Sequence, residues 1–265
     1  MLIIRQTQID VLAQLRLREF EDRVLEHLRH WMPRHSLLLG EEPMRRVVQH
    51  GLRKARRYGL DSECTVIGYV DLMCLLGSGF DTDPLLPWAA PILTEAARGD
   101  PVERGDRLYD AAWEYIGRIV ADYRDQDGKP LTERLVLLLR EGRATPREEL
   151  AEAAFPAFGE DLQRTLATYF PAKSAAVGEA QIAALAQRAR RRADQHRLSG
   201  QRGILLLAVL MFILGDGFDN DPLLPWVSPI LTADADEATR VDRLFASGTE
   251  NLRRWWDMVK TNPGH

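Results

Sequence analysis

Cysteine is scarce in this chain. Two occur among 265 residues, Cys64 and Cys74, too few for the disulfide framework that staples small secreted domains. In a later, related stretch their places are taken by Arg202 and Phe212, so they read as two reduced, packed thiols and the setting as cytoplasmic. Long apolar runs are also missing. The longest, from Ile204 to Leu214, is about half of the ~20 residues that a membrane-spanning helix needs. The opening Met1-Leu-Ile-Ile-Arg5 is too short for a secretory signal, so a soluble chain with no membrane partner is expected. Neither sign of charge dominates: 35 basic against 39 acidic residues leave a net charge of -4. That balance argues against direct binding to nucleic acid. There is no Gly-rich phosphate loop, no Gly-x-Ser-x-Gly elbow, no His-Glu-x-x-His and no Cys-x-x-Cys. The expectation is a non-enzymatic protein with no catalytic residues, no cofactor and no metal.

What the chain does have is one peptide written twice. Gly77-Ser-Gly-Phe-Asp-Thr-Asp-Pro-Leu-Leu-Pro-Trp-Ala-Ala-Pro-Ile-Leu-Thr94 returns as Gly215-Asp-Gly-Phe-Asp-Asn-Asp-Pro-Leu-Leu-Pro-Trp-Val-Ser-Pro-Ile-Leu-Thr232, with 14 of 18 positions identical. The offset is a constant 138 residues and holds far upstream, pairing Phe20 with Phe158, Leu28 with Leu166, Pro33 with Pro171 and Gly40 with Gly178. After a two-residue deletion Asp106-Arg107-Leu108-Tyr109 meets Asp242-Arg243-Leu244-Phe245. A repeat of roughly 110–120 residues is too long for a solenoid unit and suits a small domain. The expected organisation is a first repeat over 1–124, a connector over 125–144 and a second repeat over 145–265.

Periodicity makes each repeat helical. Ile9, Leu12, Leu15, Phe20, Val24, Leu28 and Trp31 trace one stripe of a helix with Thr7 as its N-cap, and Pro33 stops it. A second helix runs from about Glu41 to Tyr58, ending at Gly59. Asp61 is the expected cap of a third, apolar almost all round and therefore central. A fourth spans about Glu103 to Tyr123. In the second repeat Thr145-Pro146 reads as a helix start and Pro156 as a kink or break. Leu131 to Arg140 reads as a short packed helix. No stretch alternates with period two, so the fold class is all-α: two tandem pseudo-symmetric helical bundles packed into one body.

The repeated motif reads first as a rigid corner. Gly77 and Gly79 permit unusual backbone where a helix ends, and Asp83-Pro84 suits a helix start. Trp88 and Trp226 are expected in the core. A calcium loop fits poorly, because counting from Asp216 the sixth position holds Asp221 and the twelfth Val227, where a glycine and a glutamate are needed. The functional alternative is a partner-binding loop using Asp81, Asp83, Asp219 and Asp221. His27, His30 and His35 cluster without a completing ligand and read as a solvated face. The second helix of each repeat is basic, with Arg45, Arg46, Arg53, Lys54, Arg56 and Arg57 in one and Arg188, Arg190, Arg191, Arg192 and Arg197 in or near the other. The plain reading is a soluble outer face paired with nearby Glu and Asp; Arg53, Arg57, Arg191 and Arg192 are the candidates there for an acidic partner or nucleic acid. Against them stand the acidic tracts Asp216–Asp221 and Asp234–Glu237, which suit mimicry of nucleic acid toward a nuclease.

The opening Met1-Leu-Ile-Ile-Arg-Gln6 and the run Tyr69-Val-Asp-Leu-Met73, Gly77, Phe80-Asp-Thr-Asp-Pro84, Leu86-Pro-Trp-Ala89 and Ile92-Leu93 resemble small helical proteins encoded in type VI secretion effector clusters. The resemblance covers residues 1 to about 120, and the second copy through the internal repeat. It implies a role by binding: an immunity protein that neutralises a cognate toxin effector, with a nuclease as one candidate, or alternatively an adaptor or co-chaperone that holds an effector or its chaperone before secretion. Such relatives carry a single unit, and the tandem form here departs from them. A homodimer is a further assembly open to the chain.

Overall fold

The structure, a computed structural model, describes residues 6–94, 100–123, 137–138, 148 and 150–261. Among these there is no β-strand, and the fold is all-α. The first half contributes α1 (Gln6–Trp31), α2 (Pro33–Leu39), α3 (Glu41–Arg57), α4 (Glu63–Leu76), α5 (Ala89–Thr94) and α6 (Pro101–Ile119), followed by a 3-10 turn at Val120–Tyr123. The second contributes α7 (Phe155–Tyr169), α8 (Pro171–Val177), α9 (Glu179–Gln195), α10 (Gln201–Leu214), α11 (Val227–Leu231) and α12 (Glu237–Thr261). The bounds of α2, α3 and α4 recur in α8, α9 and α10 at the 138-residue offset of the sequence.

Local chemistry explains the ends. Pro33 and Pro171 open α2 and α8, where a missing N–H costs nothing. Gly77 and Gly215 end α4 and α10 at φ 95° and 103° with ψ near 150°, a region that is essentially glycine-only. The α4 helix is capped by Ser62, whose hydroxyl accepts from Thr65 N–H at 3.4 Å; Asp61, the expected cap, stands one residue too early. Asp100 caps α6 by accepting from Val102 N–H at 2.9 Å, so that helix starts and stops earlier than its apolar pattern suggested. Pro156 does not break a helix. It lies in the first turn of α7, where proline is tolerated. Thr145-Pro146 and most of Leu131 to Arg140 lie outside the described residues, although Leu137 and Leu138 are helical and Leu138 is buried.

Two cores form. One gathers Val24, Leu28, Val47, Val48, Val70, Met73 and Phe80; the other gathers Leu162, Leu166, Leu185, Ala186, Leu207, Met211 and Phe218. α4 and α10 lie at their centres, as their all-round apolarity requires. The halves exchange side chains. Leu85 of the first half is buried in the second core, and Leu223 of the second packs against the first. α6 packs on α8 and α12 on α2. The Asp122 carboxylate accepts from Ala172 and Lys173 N–H at 3.1 and 2.6 Å, tying the end of the first half to α8.

The stripe expected along α1 is buried only in its C-terminal part. Val24, Leu25 and Leu28 are core, whereas Val11, Leu12, Leu15 and Trp31 are all more than half exposed. No helix among the described residues is long and apolar enough to cross a membrane.

Candidate functional site

The two corners meet back to back at the seam between the cores. Asp221 Oδ2 accepts from Ser78 N–H at 2.8 Å, and Asp83 Oδ2 accepts from Asp216 N–H at 2.9 Å. Each carboxylate thus serves the residue just after the helix-ending glycine of the opposite half. Its other oxygen turns inward: Asp83 Oδ1 accepts from Leu85 N–H and Asp221 Oδ1 from Leu223 N–H, both at 2.8 Å. These are Asx turns, and they aim the leucines that cross between the cores. No helix starts at Asp83-Pro84; turns continue to Ala89. The approach is close enough to need glycine, since a Cβ on Gly77 would stand 2.9 Å from the Leu214 carbonyl oxygen.

Asp81 and Asp219 face into their own halves. Lys54 Nζ and Tyr58 Oη donate to Asp81, the tyrosine at 2.9 Å. Arg192 donates to Asp219, and His196 Nε2 lies 2.8 Å from it. Lysine–tyrosine in one half becomes arginine–histidine in the other at the same offset, so the network is kept while its chemistry changes. Below it a buried arginine ties α3 or α9 to the following long helix. Arg104 donates to the Tyr58 carbonyl, and Arg240 to those of His196 and Leu231 at 2.6 and 2.9 Å. Cationic donors at a helix C-terminus satisfy carbonyls that the helix leaves open. Sequence reading passed over Arg104 and Arg240, although each stands two residues before the shared Asp-Arg-Leu and was findable from that register.

Burial sets the electrostatics. Desolvation pushes the carboxyls of Asp83 and Asp221 above the ordinary range despite their backbone donors. Desolvation pushes Asp219 up as well, but the bonds from Arg192 and His196 outweigh it and leave the group below its ordinary value. Burial, with Asp81 beside it, pushes the Tyr58 phenol up to about 12. Asp71 is raised by burial in spite of His27, whose Nε2 lies 3.0 and 2.9 Å from its two oxygens. His27 is therefore a half-buried partner of α4 and no part of a solvated face.

The eight candidate residues divide accordingly. Asp81, Asp83, Asp219 and Asp221 are buried, at 1 to 7 % exposure, and both oxygens of each are engaged within the protein. They hold the corners together, and a partner does not reach them. Arg192 belongs to the same interior network. Arg53, Arg57 and Arg191 are exposed, with no ion pair among the described residues. The basic face is less symmetric than its composition suggests. Arg46, Arg56 and Arg57 are exposed on α3, but their counterparts are Ala184, Asp194 and Gln195, and Arg188 of α9 is spent on Asp216 at 2.6 Å.

Trp88 and Trp226 are half-buried and pack at the edges of the two cores. Cys74 is buried, which raises its thiol to about 12, whereas Cys64 is exposed; both are free. Among the described residues no group of three or more His, Cys, Asp or Glu is placed to hold a metal ion.

The first half exposes the large apolar side chains Val11, Leu12, Leu15, Trp31, Leu37, Leu75, Val102, Tyr109 and Trp113. Comparison with protein-family models, curated proteins and solved structures finds no match for this chain.

Proposed function

We propose that this chain is a non-enzymatic binding protein of a type VI secretion locus, an immunity protein that holds and neutralises a cognate toxin effector in the cytoplasm. The observation that carries the reading is the apolar surface of the first half: Val11, Leu12, Leu15, Trp31, Leu37, Val102, Tyr109 and Trp113 are all exposed there. Exposed apolar residues set among charges are the composition of a protein interface. The reactive-looking aspartates are meanwhile occupied with internal bonds, which favours binding over catalysis. The resemblance of the motif to single-unit secretion-cluster proteins supplies the biological setting.

The same reading extends to the architecture: two tandem repeats, 1–124 and 145–265, related by a pseudo-twofold axis through the paired corners and packed into one body about the connector 125–144. The recurring helix bounds, the reciprocal bonds of Asp83 and Asp221 and the crossed Leu85 and Leu223 support it. Self-complementary contacts of this kind are what a twofold dimer makes, here within one chain.

The test is a pull-down from cells expressing the neighbouring genes, followed by rescue from the toxin that co-purifies. Protection by this chain alone, with direct binding to the toxin domain, supports immunity. Binding to a chaperone or to the effector's delivery region without protection assigns the adaptor role instead. Reversing Arg53 and Arg57 to Glu is expected to weaken the complex about tenfold, mainly through kon, as for charges at the rim of an interface. Unchanged affinity with an unchanged melting midpoint removes the α3 arginines from the interface.

A further inference from the structure

The α6 helix carries a feature that the fold does not require. Val102, Asp106, Tyr109, Asp110 and Trp113 recur at helical spacing along one face, and the three apolar members are 42, 36 and 49 % exposed. Tyr109 and Trp113 meet edge to face, with ring centroids 5.9 Å apart. Such a pair already holds its rings in one arrangement before anything binds. Around it Glu103, Asp106 and Asp110 are exposed and make no ion pair with any described residue. Glu114, the fourth acid, pairs only with the exposed Arg118.

The second half shows what the fold does without this face. On α12 the place of Trp113 is taken by Thr249, whose hydroxyl donates to the Phe245 carbonyl at 2.9 Å. Asp110 is replaced by Ala246 and Tyr109 by Phe245, which packs against the core. Asp106 is replaced by Asp242, which is engaged by Arg202. The helix forms and packs in both settings, so the fold does not need open rings and free carboxylates at the positions of Asp106, Tyr109, Asp110 and Trp113.

We infer that this stripe of α6 is a docking surface for a cationic protein face, one that lays an arginine on the Tyr109–Trp113 rings and sets neighbouring basic groups against Glu103, Asp106 and Asp110. Aromatic faces attract guanidinium groups, and carboxylates in the rim accept its fork of N–H donors. Unbalanced negative charge on the rim steers a basic partner and disfavours an acidic one. The inference deepens the binding reading by giving the partner's chemistry at one surface. It rests on that reading only for the existence of a protein partner, and its test needs no toxin.

The probe is a short peptide alternating arginine and glycine, titrated into the full chain by calorimetry at about 0.15 M salt, where charges beyond ~8 Å are screened, with lysine and glutamate versions beside it. Arginine is expected to bind more tightly than lysine, and glutamate not at all. Trp113→Ala, and separately the double change Asp106→Lys with Asp110→Lys, should each weaken binding by at least about tenfold. The double change Glu42→Lys with Glu160→Lys alters net charge equally at exposed acids elsewhere and should leave affinity within about twofold once salt screens the long-range term. Melting midpoints establish that each variant is folded. Equal binding by the stripe variants, or equal loss in the control variant, overturns the inference. So does sedimentation showing that the stripe mediates self-association, because its occupant is then a second copy of this chain. Failure here with toxin rescue intact removes this surface and leaves the immunity reading standing; peptide binding without rescue does the reverse.

Discussion

At the residue scale the repeated aspartates show how one side-chain type does two jobs a single residue apart. Asp81 and Asp219 sit against cations or ring donors of their own half, and Asp83 and Asp221 against backbone N–H groups of the other. The titrations of Asp219 and Asp83 should differ in sign. Asp219 is held below its ordinary value, so its stabilisation is complete above the unfolded pKa of ~3.9 and is lost as pH falls through the folded one. The gap in urea midpoint between wild type and Asp219→Asn should therefore be widest at neutral pH and shrink below about pH 4. Asp83 is raised, so the folded protein holds its proton more tightly than the unfolded chain does. Ionisation then costs stability, and the gap between wild type and Asp83→Asn should grow as the solution is made more acid, from neutral toward about pH 4. Parallel pH profiles for the two variants would contradict the assignment. The sequence displayed these four residues plainly but not their surroundings, because apart from the local Leu85 and Leu223 amides the donors stand between 23 and 143 positions away.

At the element scale helices ended where backbone geometry demanded it. Gly40 and Gly77 both adopt φ above +70° with ψ beyond 150°, but only Gly77 is crowded by a carbonyl from the other half. Gly40→Ala should cost about 1–3 kcal/mol from backbone strain alone. Gly77→Ala should cost more, and in chemical denaturation the ranking of the two midpoints tests that order. The long helices α1, α3, α4 and α6 were legible from spacings of three and four, whereas the short α2 and α8 were not, because Pro33 and Pro171 read as stops and instead open a further helix. Which apolar positions are buried was not legible either. Leu12 and Leu15 belong to the same expected stripe as Val24 and Leu28 yet stand in the open, because a stripe records what a helix can bury and not where its neighbours stop.

At the scale of the whole molecule the crossed leucines bind the halves into one unit. Removing Leu85 takes a side chain from the second core by a change in the first half. Leu85→Ala should cost about 2–5 kcal/mol, and unfolding should remain a single transition whether followed at the first half or the second. Two separable transitions in the wild-type chain would show that the seam does not couple the cores. The exposed face of α6 belongs to this scale as well. Its meaning rests on comparison with α12, where the corresponding positions are tied inward.

The sequence by itself determined that this protein is all-α, where its central helices lie and that its two halves carry the same corner. Those features follow from local spacing, backbone propensity and identity of residues, which need no partner in space. Only the tertiary structure decided that the aspartates are interior, that Arg192 is spent while Arg53, Arg57 and Arg191 stay open, and that Tyr109 and Trp113 stand exposed side by side on α6. Burial and pairing depend on which distant segments arrive at a side chain, and that is a property of the packed chain rather than of any stretch within it.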